Sequence, residues 1–315
     1  MVGKTFLVTG GAGFIGSHLV KKLLSLNHKV ICMDNEFRGT FKNIDRNNKK
    51  LQIKKGDVRN QSDWPKTKVD GVFHLAAING TINFYKIPDI VLDVNVKGTI
   101  NAVEYVKKNK IPYLCFASSS ETYGIPKKFP TPESEMLTVP NLDNPRWSYG
   151  ASKTIGEVYC INYAKKFNFK CSIIRYNNVY GPRDEKGHVI PDLISKILKN
   201  KKFSVEGTGN ETRSFCFIND AIDATLLIYK KQKTKFEIFN VGVDTETKIS
   251  HLIKYLEKIS QKKISPSFKI KKNAGTKRRQ PNILKLKKIG FKPKINFNEG
   301  LKITFNWYSK IFSNK

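Results

Sequence analysis

The stretch Ser118-Ser119-Ser120-Glu121-Thr122-Tyr123-Gly124 follows the apolar run IPYLCFA and sets hydroxyls and one carboxylate at the end of a strand. Farther along, Tyr149 and Lys153 open the helical pattern YGASKTIGEVYCINYAKKF. Positions i and i+4 share a helix face, which brings the ammonium toward the phenol. A cation there favours phenolate and lowers the tyrosine pKa from about 10 toward the working pH. Such a tyrosine takes a proton from a hydroxyl while hydride leaves the same carbon. Ser119, Ser120 and Glu121 then read as groups that hold the same substrate or move a further proton on it. Tyr-x-x-x-Lys by itself is common on helices. It gains weight by falling one strand–helix unit after SSSETYG, in a chain that also carries a nucleotide fingerprint.

That fingerprint is VTGGAGFIGSHL, with Gly10, Gly11, Gly13 and Gly16 placed after a strand and into a helix. Glycines permit the tight turn and let backbone N–H groups approach a pyrophosphate at the helix N-terminus. Asp34 closes the next strand, where a carboxylate accepts from the adenosine ribose hydroxyls and repels a 2′-phosphate. This points to NAD over NADP, with nearby Arg38 as the opposing signal. Asp57, in GDV at the end of a third strand, is placed to bind the adenine amino group.

The elements that position these groups follow from hydrophobic periodicity. Strands are expected at KTFLVTG, KVICMDN, LQIKKGDV, GVFHLAA, YLCFASS and KCSIIRYNNVYG, with helices between them at 14–26, 91–109 and 149–167. Apolar strands alternating with helices mean βαβ units and a Rossmann-type, doubly wound parallel sheet in an α/β fold. After residue 180 the alternation loosens. Residues 1–180 are expected to form the cofactor domain, with a contribution from about 215–245, and 181–315 a smaller C-terminal α/β substrate domain.

The chain has 315 residues, 39% of them apolar, and no apolar stretch near the roughly 20 residues of a membrane span. The N-terminus runs straight into a strand, with no signal-peptide pattern. Cys32, Cys115, Cys160, Cys171 and Cys216 are scattered. Neither a metal site nor a disulfide framework is expected, and the cytoplasm is the expected compartment. Lys and Arg number 57 against 26 Asp and Glu, a net charge of +31. Most of the excess is lysine spread along the chain, which reads as solvated surface rather than a nucleic-acid site. Such a field still steers an anionic substrate toward a cleft.

Taken together, TGGAGFIGSHL, GDV, HLAA, NVKGT, SSSETYG, YGASK, RYNNVYGPR, GTGNETRSF and RRQPNILKLKKIGFKPKI resemble the extended short-chain dehydrogenase/reductases of the NAD-dependent sugar-nucleotide epimerase/dehydratase type. The likeness covers nearly the whole chain. It implies NAD as cofactor and a nucleotide-diphosphate sugar as substrate. It further implies that Ser119 binds the sugar C4 hydroxyl, that Tyr149 is the base, and that Lys153 activates it and holds the nicotinamide ribose. By the same motifs Gly10, Gly13, Phe14, Ile15, Gly16, Asp34, Asn35, Asp57, Val58, Leu75, Ala76, Ala77 and Asn95 belong with the cofactor. Asn178 would hold the substrate diphosphate, and Arg213 and Arg279 its nucleotide part. Asn282 departs from the aspartate usual after Arg-x-Pro. Asn79 and Thr81, in the loop INGTINFY, would face the hexose, while His74 is expected to pack inside the sheet. A homodimer built on the helices near 91–108 and 149–167 is implied as well.

All enzymes of this type first oxidise the sugar at C4. Dehydration then needs an extra acid/base, and Glu121 is the residue present for it. Glu121 as the base of a 4,6-dehydration is the leading expectation. A 4-epimerase comes next and a UDP-glucuronate decarboxylase third, the latter because NPRWSY resembles the segment before the tyrosine in one bacterial decarboxylase group. Pairing of Glu121 with Arg146, without chemistry, is the plain alternative. Rivals of another kind are a catalytically inactive RNA-binding relative and a one-way reductase.

Overall fold

The computed structural model describes residues 3–184, 187–269 and 276–313. In chain order it begins with β1 (Thr5–Thr9), α1 (Phe14–Ser25), β2 (Lys29–Asp34), β3 (Leu51–Lys55), β4 (Gly71–His74), α2 (Thr81–Lys86) and α3 (Pro88–Lys108). There follow β5 (Tyr113–Ser119), α4 (Ser148–Phe167) and β6 (Lys170–Tyr176). The chain leaves this layer through β7 (Val179–Tyr180), α5 (Val189–Leu198), β8 (Ser204–Glu206), β9 (Thr212–Arg213) and β10 (Cys216–Phe217). It returns with α6 (Ile218–Lys231) and β11 (Phe236–Val241). The last elements are β12 (Thr247–Lys248), α7 (Ile249–Ser260), β13 (Ser267–Lys269), β14 (Arg278–Arg279), α8 (Leu284–Lys288) and α9 (Phe297–Ser313).

One seven-stranded sheet runs β11-β6-β5-β4-β1-β2-β3. Every neighbouring pair in it is parallel. This is the expected Rossmann-type α/β sheet. Its inner strands are continuous apolar runs because helices cover both faces. Phe6, Leu7, Val8, Val72, Phe73, Leu114 and Phe116 are fully buried. Strand order reverses between β1 and β4, and the crevice at the carboxyl ends of these strands is where such sheets bind ligands.

Residues 236–241 pair with β6 in this sheet, Phe236 opposite Cys171 through Val241 opposite Tyr176. A small three-stranded sheet has β9 at its centre, antiparallel to β12 and parallel to β14. In that register Arg279 lies directly beside Arg213. The segment after SSSETYG is laced to β14 through Thr131, which accepts from Asn282 N at 2.8 Å and donates its N–H to Gln280 O at 2.7 Å. The Asn282 side chain accepts from Leu284 N at 2.9 Å, at the start of α8. All five cysteines are buried thiols. Among the described residues no helix is long and apolar enough to cross a membrane.

Candidate active site

A cavity of about 440 Å³ follows the switch-point crevice and extends beneath the smaller sheet. At one end is the turn between β1 and α1. Gly10 has φ +67°, and a Cβ on Gly16 would stand 2.0 Å from Gly10 O, so neither position admits a side chain without displacing the turn. Gly13 is the N-cap of α1 and offers no side-chain cap. The first-turn N–H groups of α1 are therefore open to an anion, which suits a dinucleotide pyrophosphate. Asp34 ends β2 and accepts from Ala12 N at 3.0 Å and Glu36 N at 2.8 Å, with lone pairs left for ribose hydroxyls. Burial raises its pKa, and these backbone donors oppose the rise.

Most of the residues expected at the cofactor line this cavity: Gly10, Gly13, Phe14, Ile15, Gly16, Asp34, Asn35, Val58, Leu75, Ala76, Ala77, Tyr149 and Lys153. Asp57 and Asn95 do not. Asp57 is taken by Arg59, whose Nε and Nη2 donate at 3.0 and 2.8 Å, and by Asn35 at 3.1 Å. The Arg59 contact holds its pKa down to about 2. An adenine amino group at Asp57 would share the carboxylate with this guanidinium. Asn95 sits behind the wall, accepting from Ile78 N at 2.8 Å and donating to Ser152 Oγ at 3.1 Å. It fixes α3 to the β4 loop and to α4. Arg38 does not turn to the ribose edge; it donates to the carbonyl of Asn79 in the hexose loop.

The catalytic groups converge in the middle of the cavity. Tyr149 is buried, stacked on Phe84 of α2 at 5.2 Å and 17°. It is hydrogen-bonded to Ser119. Lys153 Nζ donates to Ala117 O at 2.8 Å and lies 5.8 Å from the Tyr149 ring. The lysine is thus nearby, as the i, i+4 spacing implies, but its tuning effect needs correction. Burial pushes Tyr149 up to about 12, against the Ser119 hydrogen bond and the Arg38 charge, which lower it. Burial also brings Lys153 down to about 8. A desolvated phenol gains a proton-holding tendency that one lysine at this distance does not cancel. His74 is buried between Thr9 and Thr99, with Nδ1 2.8 Å from Thr9 Oγ1, and packs in the sheet as expected.

The SSSETYG turn rests on a buried ion pair. Arg175 of β6 donates to Glu157 of α4 through Nε at 2.9 Å and Nη2 at 2.6 Å, and through Nη1 to Tyr123 Oη at 3.0 Å. Ser118 also donates to Glu157. Both charges are paired and hydrogen-bonded, which is the condition for burying them.

Ser120 and Glu121 line the cavity with Asn79, Thr81, Asn178, Arg146, Arg213 and Arg279. Glu121 is 2.7 Å from Arg279 Nη1 and 3.6 Å from Arg146 Nη2. Despite burial, which raises its pKa, the charges of Arg279, Arg146 and Arg213 hold it down to about 2. Arg213 is bonded to the carbonyls of Thr212 and Lys277 and, buried beside Arg279, is itself lowered to about 10. Arg146 Nε, Arg279 Nη2 and Asn178 Nδ2 are buried donors without a protein partner. Buried donors are normally satisfied, so three such groups around one cavity mark the place of an anionic ligand. Sequence reasoning cast Arg146 merely as a possible mate for Glu121, and Arg38 as a ribose neighbour. It passed over His188, which also lines the cavity. The available signal for His188 was the i, i+4 pair Asp184–His188 just before a helical pattern.

Residues 6–242 match the NAD dependent epimerase/dehydratase family. A putative UDP-glucose 4-epimerase of Methanocaldococcus jannaschii is 36% identical, over 96% of this chain and 97% of the relative. A UDP-N-acetyl-alpha-D-glucosaminuronate decarboxylase of Bacillus cytotoxicus is 32% identical over 98% of each. Among solved structures, the UDP-glucuronic acid 4-epimerase of Bacillus cereus, in complex with UDP-glucuronic acid and NAD, superposes with a TM-score of 0.90. It is 29% identical, covering 98% of this chain and 99% of that one.

Proposed function

Because this chain belongs to the NAD dependent epimerase/dehydratase family of nucleotide-sugar enzymes, we propose that it oxidises C4 of a nucleotide-linked uronic acid and then releases the C6 carboxylate as carbon dioxide. The observation that carries this reading is the cluster beside Tyr149, where one carboxylate faces three guanidiniums and two of these keep unpartnered N–H groups. Such a site suits an anionic hexose in addition to a diphosphate, and arginine forks match carboxylate geometry.

NAD, held by the β1–α1 turn and Asp34, would supply the hydride acceptor for C4. Ser119 holds the C4 hydroxyl and Tyr149 takes its proton. The new ketone stands β to the C6 carboxylate. The C5–C6 electron pair therefore flows to the C4 oxygen as carbon dioxide leaves, and no strong base is required. Protonation at C5 and reduction at C4 complete a pentose. Glu121, ionised down to about pH 2, is a weak base. That argues against its removing the C5 proton in a 4,6-dehydration, and favours a role in orienting Arg146 and Arg279.

C4 epimerisation is the second reading. It rests on the name of the Methanocaldococcus relative and on the Bacillus cereus epimerase bound to UDP-glucuronic acid, and it uses the same Ser119, Tyr149 and Lys153. NMR of UDP-glucuronic acid and its 2-acetamido analogue in deuterated water tests both. Carbon dioxide with a pentose product supports decarboxylation. Inversion at C4 with C6 retained overturns it in favour of epimerisation, and a 4-keto-6-deoxy product from a neutral hexose would restore dehydration. The working unit of this reading is a homodimer through α3 and α4, which expose Leu92, Ile155 and Val158.

A further inference from the structure

His188 and Asp184 form a pair that the steps above do not use. His188 is the N-cap of α5 and lines the cavity. Its Nδ1 lies 2.7 Å from Asp184 Oδ1, and the Asp184 side chain is 1% exposed. The other ring nitrogen, Nε2, is 3.4 Å from Asn79 Nδ2, in the loop that follows β4. The pair is held from several sides. Tyr308 of α9 donates to the Asp184 carbonyl, Gly187 N donates to Asp192 Oδ1 at 3.0 Å, and Asp192 N donates to His188 O at 3.1 Å. A carboxylate on Nδ1 fixes the ring and leaves Nε2 as the nitrogen that exchanges a proton.

Three other titratable groups of the cavity, Tyr149, Glu121 and Lys153, are already engaged. Tyr149 is hydrogen-bonded to Ser119 and serves the C4 oxygen in the reading above. Glu121 is ion-paired to Arg279 and Arg146, and Lys153 Nζ is bonded to Ala117 O. A proton must still reach C5. We infer that His188, held by Asp184, is the acid that delivers it. This deepens the decarboxylation reading and rests on it. As the C5–C6 bond breaks, its electron pair forms an enolate across C5, C4 and the C4 oxygen. As the carbonyl re-forms, C5 takes the Nε2 proton, making the new C5–H bond. Neutral His188 is reprotonated from water.

The test follows UDP-glucuronic acid in deuterated water with wild type, His188→Asn, His188→Gln and Asp184→Asn. Wild type places one deuterium at C5 of the pentose in a single configuration. A positioned acid contributes about 100-fold or more, so both His188 variants should slow pentose formation about 100-fold. They should still give one turnover of carbon dioxide with reduced nicotinamide held on the protein, and deuterium in both C5 configurations. Asp184→Asn should fall less and keep the single configuration. Calorimetric titration with NAD and UDP checks that each variant retains its sites. If the His188 variants bind both and keep wild-type rate and configuration, the pair is a helix cap and the inference is overturned while decarboxylation stands. If wild type releases no carbon dioxide from UDP-glucuronic acid or its 2-acetamido analogue, the decarboxylation reading fails first and this inference falls with it.

Discussion

Glu121→Gln separates the electrostatic account of the site from a purely catalytic one. Against burial, which raises it, the arginines bring the Glu121 carboxyl from 4.5 to about 2, which at about 1.4 kcal/mol per pH unit is a net of about 3.5 kcal/mol. Removing one partner of a buried pair costs about 3–5 kcal/mol, in agreement. Unfolding entropy of about 2.1 cal/mol/K per residue over 315 residues is about 0.66 kcal/mol/K, so the thermal midpoint at pH 7 should drop about 5 °C. The sign with pH is fixed by the depressed folded pKa. The stabilisation is complete above about 4.5 and is lost as pH falls through about 2, so wild type and variant should converge over that window. The same change frees Arg146 and Arg279 for a ligand. One charge-assisted hydrogen bond is worth about 1.5 kcal/mol at the low end, so UDP should bind about tenfold tighter as turnover falls. Differential scanning calorimetry from pH 2 to 8 and titration calorimetry with UDP measure both effects. A midpoint shift under about 1 °C together with unchanged UDP affinity would refute the argument.

Tyr149→Phe should lower kcat by about 1,000-fold or more and leave NAD affinity within about threefold, by single-turnover absorbance and calorimetry. Retention of every sugar-nucleotide conversion would sink the enzyme reading and revive the RNA-binding one. Lys153→Met should be inactive yet more stable. Burial brings this lysine from 10.5 to about 8, so carrying its charge costs the fold below about pH 8, and the variant's midpoint should rise a few degrees at pH 7. A lower midpoint would show that the bond to Ala117 O outweighs desolvation. Asp34→Ser removes the ribose acceptor and the repulsion of a 2′-phosphate, and should weaken NAD about tenfold or more while admitting NADP. Unchanged preference in a cofactor titration would show that Asp34 serves the turn through Ala12 and Glu36 alone.

The cofactor half was legible in the sequence because its signals are local. A glycine turn between an apolar strand and a helix forces one backbone path, and apolar strands spaced by helices force a parallel sheet. Tyr149 and Lys153 needed nothing beyond the helical repeat to be placed together. Six of the seven strands, their parallel sense and the buried His74 follow from the same short-range patterns.

What the chain alone withheld depends on contacts between distant segments. Only the family resemblance sets Arg213 and Arg279 at one ligand; they become neighbours because β9 and β14 pair in register. Arg146, expected only as a possible mate for Glu121, shares that carboxylate with Arg279 from a distant segment. Asp184 and His188 are joined to Asn79 when the loop before α5 meets the loop after β4. Even the tyrosine's proton affinity was set by tertiary burial and not by the spacing to Lys153. The sequence thus determined which groups exist and which share a helix face. The fold decided their charge states and partners, because desolvation and Coulomb interaction depend on distance through space rather than along the chain.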